Sequence, residues 1–470
     1  MDFTSVFFWL CLIPPVIMAW IGNVVFKNAP QHNLLLRKLL ILATSFFLLG
    51  MACWQTVVIF FVLSLLSFYG CKWGLTMEMR KRKVLLWFLL PIALIPLLYY
   101  KYANFFGNEV FHQNWDSFRN LIIPIGISFY SFQMVAFCVD TLMQDLKMPK
   151  LIDYLNFGAF FPQVVAGPIE RRALLLPQLE TLNSNSRLID DINLGVRYII
   201  AGIFYKLVLS DNIGTGIPKM MEFDSAYQIY LLNLFFTFRI YFDFAGYSLI
   251  AFGLARCLGI EITLNFKSPL TAVNIGEYWR RWHSSLSTWL RDYIYFPLGG
   301  SRTKWWALNI MIVFFVSGLW HGANWNFVIW GLSLGIGLII FRCFHRAGYR
   351  LWWPIAFAIT SFYTVNVRMF FYITNIDTIK ANLQTLCTPE AYAFTDFSNF
   401  SILYGLLMPI LTASFIIPVI VVYLCLEALA IRKEKTPYYY VIAPTSTVIQ
   451  IFFICFFTPG LANQFVYLAF

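Results

Sequence analysis

The four cations Arg80-Lys81-Arg82-Lys83 stand directly before Val84-Leu85-Leu86-Trp87-Phe88-Leu89-Leu90-Pro91-Ile92-Ala93-Leu94-Ile95-Pro96-Leu97-Leu98-Tyr99-Tyr100. A helix needs ~20 mostly apolar residues to cross the hydrocarbon core of a bilayer, and the run 84–100 reaches the short end of that range. Lysine and arginine accumulate in cytoplasmic loops, so the basic run reads as a topology signal. Outward from this stretch the pattern repeats. Candidate spans lie near 5–25, 37–53, 54–70, 84–100, 119–140, 192–210, 228–256, 306–320, 323–342, 352–373, 403–428 and 443–468, roughly ten to twelve crossings by length. Lys27, Arg37 and Lys38 flank the second span, and Lys72 with the 80–83 run follows the third. Both loops are therefore expected on the cytoplasmic side, and the N-terminus, with only Asp2 before the first span, outside. The first apolar run, Phe7 to Val25, has no preceding basic residue and no small-residue cleavage pattern, so it is expected to be a retained span.

Composition demands the same class. Of 470 residues, 60% are hydrophobic, 19% aromatic and only 12% charged. A water-soluble domain of this length cannot hide so much apolar surface, and a disordered chain, a coiled coil or a secreted disulfide scaffold is excluded. The net charge of +11 is assigned to cytoplasmic loops rather than to nucleic-acid contact. Nine cysteines form no CxxC pair and no cluster with histidine at metal spacing. No phosphate-binding loop, serine elbow, HExxH or dinucleotide fingerprint occurs. No repeat or large polar domain is visible, so residues 1–470 are expected to form one integral membrane domain. Gly158, Pro162, Gly167 and Pro168 interrupt the run 157–169, a pattern that survives at membrane depth only inside protein or beside a water-filled cavity.

Ionisable groups inside apolar segments are expensive and are functional candidates by default. His321 lies between two apolar runs with Gly318 and Gly322 on either side. Small neighbours admit another backbone or a substrate chain. A neutral imidazole there can accept a hydroxyl proton; an interhelical hydrogen bond is the equal alternative. On a helical wheel of 274–293, Trp279, Trp282, Leu286, Trp289, Leu290 and Tyr293 share one face, with Arg280, Ser284, Ser287 and Arg291 opposite and His283 at the boundary. That predicts an amphipathic helix along the cytoplasmic interface. Arg239 and Asp243, four residues apart in an apolar run, are expected to pair, with a cavity-lining role for Asp243 second.

These stretches resemble the membrane-bound O-acyltransferase family, and within it the bacterial branch that acetylates alginate and peptidoglycan or transfers D-alanine. The resemblance is carried by Pro124–Gln133, Phe160–Ile169, Ile240–Tyr247, Asn265–Pro269, Glu277–Arg302 and Ser317–Gly331, and runs from about 30 to about 345. The segment 346–470 matches less well: Val367-Arg368-Met369-Phe370 stands where the family has a Trp-x-x-Phe-Arg type of segment, and Leu249 where it tends to carry Asp. The resemblance implies an all-α fold of about eleven transmembrane helices in a ring around a thin central tunnel, with re-entrant and interfacial helices. It gives His321 the essential role and His283 the second. It implies transfer of an acyl group, acetyl first, from a cytoplasmic thioester toward hydroxyls of a cell-surface polysaccharide. Acetyl-CoA is the expected donor, an acyl carrier protein the alternative, and no cofactor is permanently bound. Trp279, Trp282 and Trp320 are expected to line the donor path, Arg280, Arg281 and Arg291 to hold its phosphates, and Asp243 and Asn324 to contact substrate. An extracytoplasmic O-acetyltransferase partner and a bacterial inner-membrane location are also implied. D-alanyl transfer to a teichoic-acid-type polymer is the sister reading, and a transporter or flippase the non-enzymatic one.

Overall fold

The computed structural model describes residues 29–112, 123–164, 167–182, 188–220, 225–392 and 416–459, with a few positions among the first thirty. Every regular element among the described residues is helical. Among the described residues the first long helices are α1 (Pro30–Ala52), α2 (Trp54–Gly74) and α3 (Met79–Leu97). Pro30 opens α1 at a position where its missing N–H costs nothing, and the extended Cys53 makes a one-residue corner into α2. Beyond Pro96 the chain winds as a π-helix, Leu98–Tyr102, where the absent proline amide breaks the regular ladder. Next come α4 (Ile127–Met143), α5 (Leu151–Ala159), α6 (Arg172–Thr181), α7 (Leu188–Ile203), α8 (Asp211–Met220) and α9 (Ala226–Cys257). Two seven-residue helices follow, α10 (Ile275–Arg281) and α11 (Ser284–Leu290). The last are α12 (Trp306–His321), α13 (Trp325–Arg346), α14 (Trp353–Val367), α15 (Met369–Tyr372), α16 (Ile376–Cys387), α17 (Ile416–Arg432) and α18 (Pro444–Phe457).

Among the described residues six helices are long and apolar enough to cross a membrane: Gln31–Met51, Trp54–Gly74, Met79–Tyr102, Ile189–Gly214, Ala226–Cys257 and Trp325–Arg346. They coincide with six of the expected spans. Shorter apolar helices at Ile127–Met143, Trp306–His321 and Pro444–Phe457 occupy three more. The run 352–373 is not one span, because α14 stops at Arg368 and only the single turn α15 follows. The run 157–169 is broken as expected, with α5 ending at Ala159 and a single turn at Phe161–Val164. The candidate near 5–25, and residues 403–415 of another, lie mainly outside the described residues. On α3, Trp87 and Phe88 are 79% and 63% exposed, a surface suited to acyl chains and not to water. The best window of α9, by contrast, is 83% buried.

Contacts divide the chain into two compact units, Met1–Ile199 with Ile250–Leu264, and Ile200–Leu249 with Asn265–Phe470. In the first, buried polar groups are matched in pairs. Lys38 Nζ meets Asp153 Oδ1 at 2.5 Å, and the Arg37 guanidinium donates to the carbonyls of Leu182 (2.8 Å) and Leu258 (3.0 Å). Glu170, in the stretch between α5 and α6, accepts from the amide (2.5 Å) and hydroxyl (3.2 Å) of Thr263. Burial dominates and pushes its carboxyl up to about 7. Both candidate histidines belong to the second unit.

Candidate active site

Helices α12 and α13 form an antiparallel hairpin around Gly322–Asn324. A Cβ at Gly318 would lie 2.3 Å from the carbonyl oxygen of Phe327, and one at Gly331 2.3 Å from that of Phe314. Glycine is therefore required at both places, and the two backbones touch directly. The close approach expected at Gly318 and Gly322 is present. His321 ends α12 and is buried. Its ring is met edge to face by Trp320 (5.0 Å between centroids), Trp330 (4.9 Å) and Phe371 (5.4 Å).

The amphipathic helix expected over 274–293 is not continuous. α10 ends at Trp282, His283 takes a left-handed conformation (φ 44°), and α11 starts at Ser284. The break has a partner. The strap Asn265–Ser268 runs beside it: the Ser284 amide donates to the Asn265 carbonyl (2.8 Å), the Lys267 amide to the Arg281 carbonyl (2.9 Å), and the Ser285 hydroxyl to Asn265 Oδ1 (2.6 Å). Trp282, His283, Ser284 and Ser285 are thereby buried rather than laid on an interface. Phe244 (4.9 Å) and Trp320 (5.5 Å) enclose the His283 ring.

His283 Nδ1 accepts from the Leu286 amide at 3.4 Å. The proton of the neutral ring therefore sits on Nε2, a buried atom with no hydrogen-bond partner among the described residues. Burial holds the imidazole down to about 3, so it stays neutral at physiological pH. The residue is a fixed, uncharged N–H donor. His283 and His321 thus flank one indole, that of Trp320, which is itself buried.

Other expected residues fall into place unevenly. Trp282 stacks on Tyr278 at 5.7 Å and lies beneath the guanidinium of Arg368, whose Cζ is 4.0 Å from the ring centroid. Trp279 is half-buried, 4.8 Å from Phe314 and 6.3 Å from Trp330. Arg281 is held by the Glu277 carboxylate and by Thr271 Oγ1 (2.9 Å), whereas Arg280 is exposed. Asn324 is extended at the start of α13, its carbonyl accepting from the Phe327 amide. The expected pairing of Asp243 with Arg239 is replaced: Lys206 Nζ takes Asp243 Oδ1 and Asp211 Oδ1, both at 2.8 Å, in a fully buried cluster. The lysine comes from the π-helical stretch Phe204–Ser210, which no spacing rule along α9 could supply. Asp243 is thus committed to an ion pair.

Three charged residues escaped the sequence reading: Lys206, Arg368 and Glu427. Each interrupts an apolar run, the same signal that singled out the histidines. Arg368 is buried, over Trp282 and, at 5.8 Å, Trp330, and donates to the Tyr278 hydroxyl. Glu427 accepts from Tyr205 (2.6 Å), Tyr241 (2.7 Å) and Ser268 hydroxyls. Among the described residues no group of histidine, cysteine and carboxylate side chains has the arrangement of a metal site.

Comparison with known proteins gives this constellation a context. Residues 38–376 match the family model described as MBOAT, membrane-bound O-acyltransferase family. The chain is 36% identical to a protein of Helicobacter pylori named peptidoglycan O-acetyltransferase, over 56% of each chain. It is 34% identical, over 65% of each, to a Pseudomonas putida protein named "Probable alginate O-acetylase". With a teichoic acid D-alanyltransferase of Streptococcus thermophilus the identity is 29%, over 47% of this chain and 57% of the relative. The chain thus spans between about half and two thirds of the length of these curated relatives. Most of its length, including the α12–α13 hairpin and both buried histidines, falls within the family match, and the chain belongs to the membrane-bound O-acyltransferase family.

Proposed function

We propose that the chain is an O-acetyltransferase that moves acetyl from a cytoplasmic thioester, acetyl-CoA, toward hydroxyls of a cell-surface polysaccharide. The observation that carries this reading is the pair of buried imidazoles on the Trp320 indole, one of them fixed as a neutral donor. A thioester carbonyl is already a good electrophile, so the chemistry needs a base for the hydroxyl and a donor for the oxyanion. His321 takes the hydroxyl proton as the oxygen attacks the carbonyl carbon. The Nε2–H of His283 holds the tetrahedral oxyanion. The C–S bond then breaks, and the leaving thiolate recovers the proton from His321.

Trp279, Trp282, Trp320 and Asn324 form the surroundings in which the donor end lies, and the exposed Arg280 serves donor phosphates at the cytoplasmic face. Arg281 and Asp243 support the site through their ion pairs with Glu277 and Lys206. The chain acts as one membrane domain of about eleven spans around a thin central path, with its N-terminus outside a bacterial inner membrane. An extracytoplasmic O-acetyltransferase partner receives or completes the transfer. The match to proteins named teichoic acid D-alanyltransferase supports D-alanyl transfer from a carrier as the second reading.

The test compares wild type with His321→Ala at matched membrane level. Base-labile acetate and D-alanine are measured in hydrolysates of cell-surface polymer. Loss of acetate supports the proposal, and loss of D-alanine selects the second reading. Unchanged levels of both discard His321 as the base.

A further inference from the structure

Four lysine and arginine side chains are buried among the described residues: Arg37, Lys38, Lys206 and Arg368. Three are matched. Lys38 has Asp153, Lys206 has Asp211 and Asp243, and Arg37 has two backbone carbonyls. Arg368, 2% exposed, has no carboxylate within ion-pair distance among the described residues. Its guanidinium carries five N–H donors, and among the described residues it makes one hydrogen bond, to the Tyr278 hydroxyl. Indole rings cover it, Trp282 at 4.0 Å and Trp330 at 5.8 Å. The neighbouring carboxylate on α10, Glu277, is taken by Arg281 and by the Val273 amide.

A charge removed from water without a counter-charge is expensive, and ring faces offset only part of that cost. The planar fork left open by this arrangement matches a carboxylate or a phosphate. We propose that Arg368 is the anion-binding residue of this site, and that its counter-ion is a carboxylate or phosphate carried by a substrate. The inference rests on the acyltransferase reading and adds a charge requirement to it. Position favours a role beside the reaction rather than at the reacting carbon. Trp282 adjoins His283 in sequence, and Trp330 lies edge-on to His321. A charge held on these indoles is one aromatic ring away from His321, through Trp330, and two from His283, through Trp282 and Phe266. It orients a substrate whose reacting carbon lies between the histidines.

Acetyl transfer is measured with full-length protein in lipid nanodiscs, using two donors and two acceptors. The donors are acetyl-CoA and the phosphate-free acetyl thioester of N-acetylcysteamine. The acceptors are an oligosaccharide bearing carboxylates and its carboxyl-reduced counterpart. In wild type, removing the recognised anion is expected to lower kcat/KM about 30-fold or more, the range for unpairing a buried charge. Because Arg280 is itself assigned to donor phosphates, the source, donor phosphate or acceptor carboxylate, is identified by the arm whose drop disappears in Arg368→Gln. Arg368→Gln is expected to abolish that preference, leaving transfer with the neutral substrate near its wild-type value. Arg368→Lys, which keeps the charge but not the fork, falls between.

Equal efficiency of wild type with charged and neutral substrates in both arms overturns the proposal. So does an Arg368→Gln protein that loses charged and neutral substrates alike, because that is a structural role. If Arg368→Gln fails to fold, the wild-type preference and the Arg368→Lys values decide. Absence of transfer in every combination, with the extracytoplasmic partner supplied as well as withheld, refutes the acyltransferase reading itself, whereas transfer indifferent to charge overturns only the anion site.

Discussion

The hydroxyl of Ser268 donates to the carboxylate of Glu427, 159 residues later in the chain. Ser268 ends the strap that fixes the break at His283, and Tyr205 and Tyr241 share the same carboxylate. Removing the acceptor strands three buried hydroxyls, each worth ~1–3 kcal/mol when unpaired. Glu427→Ala is expected to lower stability by about 3–5 kcal/mol and to reduce kcat more than it raises KM, since His283 loses its brace. Glu427→Gln keeps an acceptor oxygen and recovers much of both. Thermal unfolding and acetyl-transfer kinetics in nanodiscs measure this, and a Glu427→Ala protein with wild-type kcat rules out the bracing role.

His283→Asn separates geometry from chemistry. Asparagine tolerates the left-handed backbone, so the elbow is expected to form, while the Nε2–H is lost. Loss of one oxyanion donor typically costs ~10²–10³ in kcat, and that is the expected fall. The folded imidazole ionises only near 3, so His283 sets no limb of the rate profile between about pH 4 and 9. The midpoint of any acid limb is therefore expected to be the same in wild type and variant, and a moved midpoint contradicts the assignment. Its effect on stability has the sign of a depressed base. Below about pH 6.5 the unfolded ring binds a proton that the folded one refuses, and stability falls as pH falls.

Glu170 has the opposite sign. Its carboxyl titrates near 7 when folded, above its value of about 4.3 in an unfolded chain. The contribution is full below the unfolded value and is lost as pH rises through 7. Glu170→Gln is expected to remove that slope and to raise stability above pH 7 by ~3 kcal/mol. Tm measured from pH 4 to 8 for both proteins tests it; parallel curves sink the idea.

The α12–α13 seam makes a steric prediction. A methyl at Gly331 meets the Phe314 carbonyl at 2.3 Å, whereas one at Gly335 meets first the flexible Met311 sulfur at 3.1 Å. Gly331→Ala is expected to cost ~1–3 kcal/mol or more, with transfer activity falling as His321 shifts. Gly335→Ala is expected to be nearly neutral. Equal Tm values for the two variants contradict the seam.

The sequence makes the membrane class plain because apolar run length is a local property, and six runs became long helices. It also picks out His283 and His321, since an ionisable group in an apolar run is conspicuous. It misplaces the environment of His283 because helical periodicity carries no information about the Asn265–Ser268 strap. The strap supplies the hydrogen bonds that break the helix. Spacing pairs Asp243 with Arg239 for a related reason: it offers an i,i+4 partner, whereas Lys206 arrives from another segment. Arg368 and Glu427 carried the same signal as the histidines. Their importance lies in what surrounds them, Trp282 and Trp330 for one and three hydroxyls for the other, and that is a tertiary property.

The glycine seam also governs how this active site can change over evolutionary time. Where two main chains touch, no side chain can swap a rotamer to absorb a neighbour's drift, so the position of His321 is insulated from most substitutions in the apolar surface around it. The aromatic side chains about it have no such constraint. Divergence toward a bulkier acyl group or another acceptor is therefore channelled into Trp330 and Phe371. The histidine and the hairpin that carries it stay in place while the walls are rebuilt.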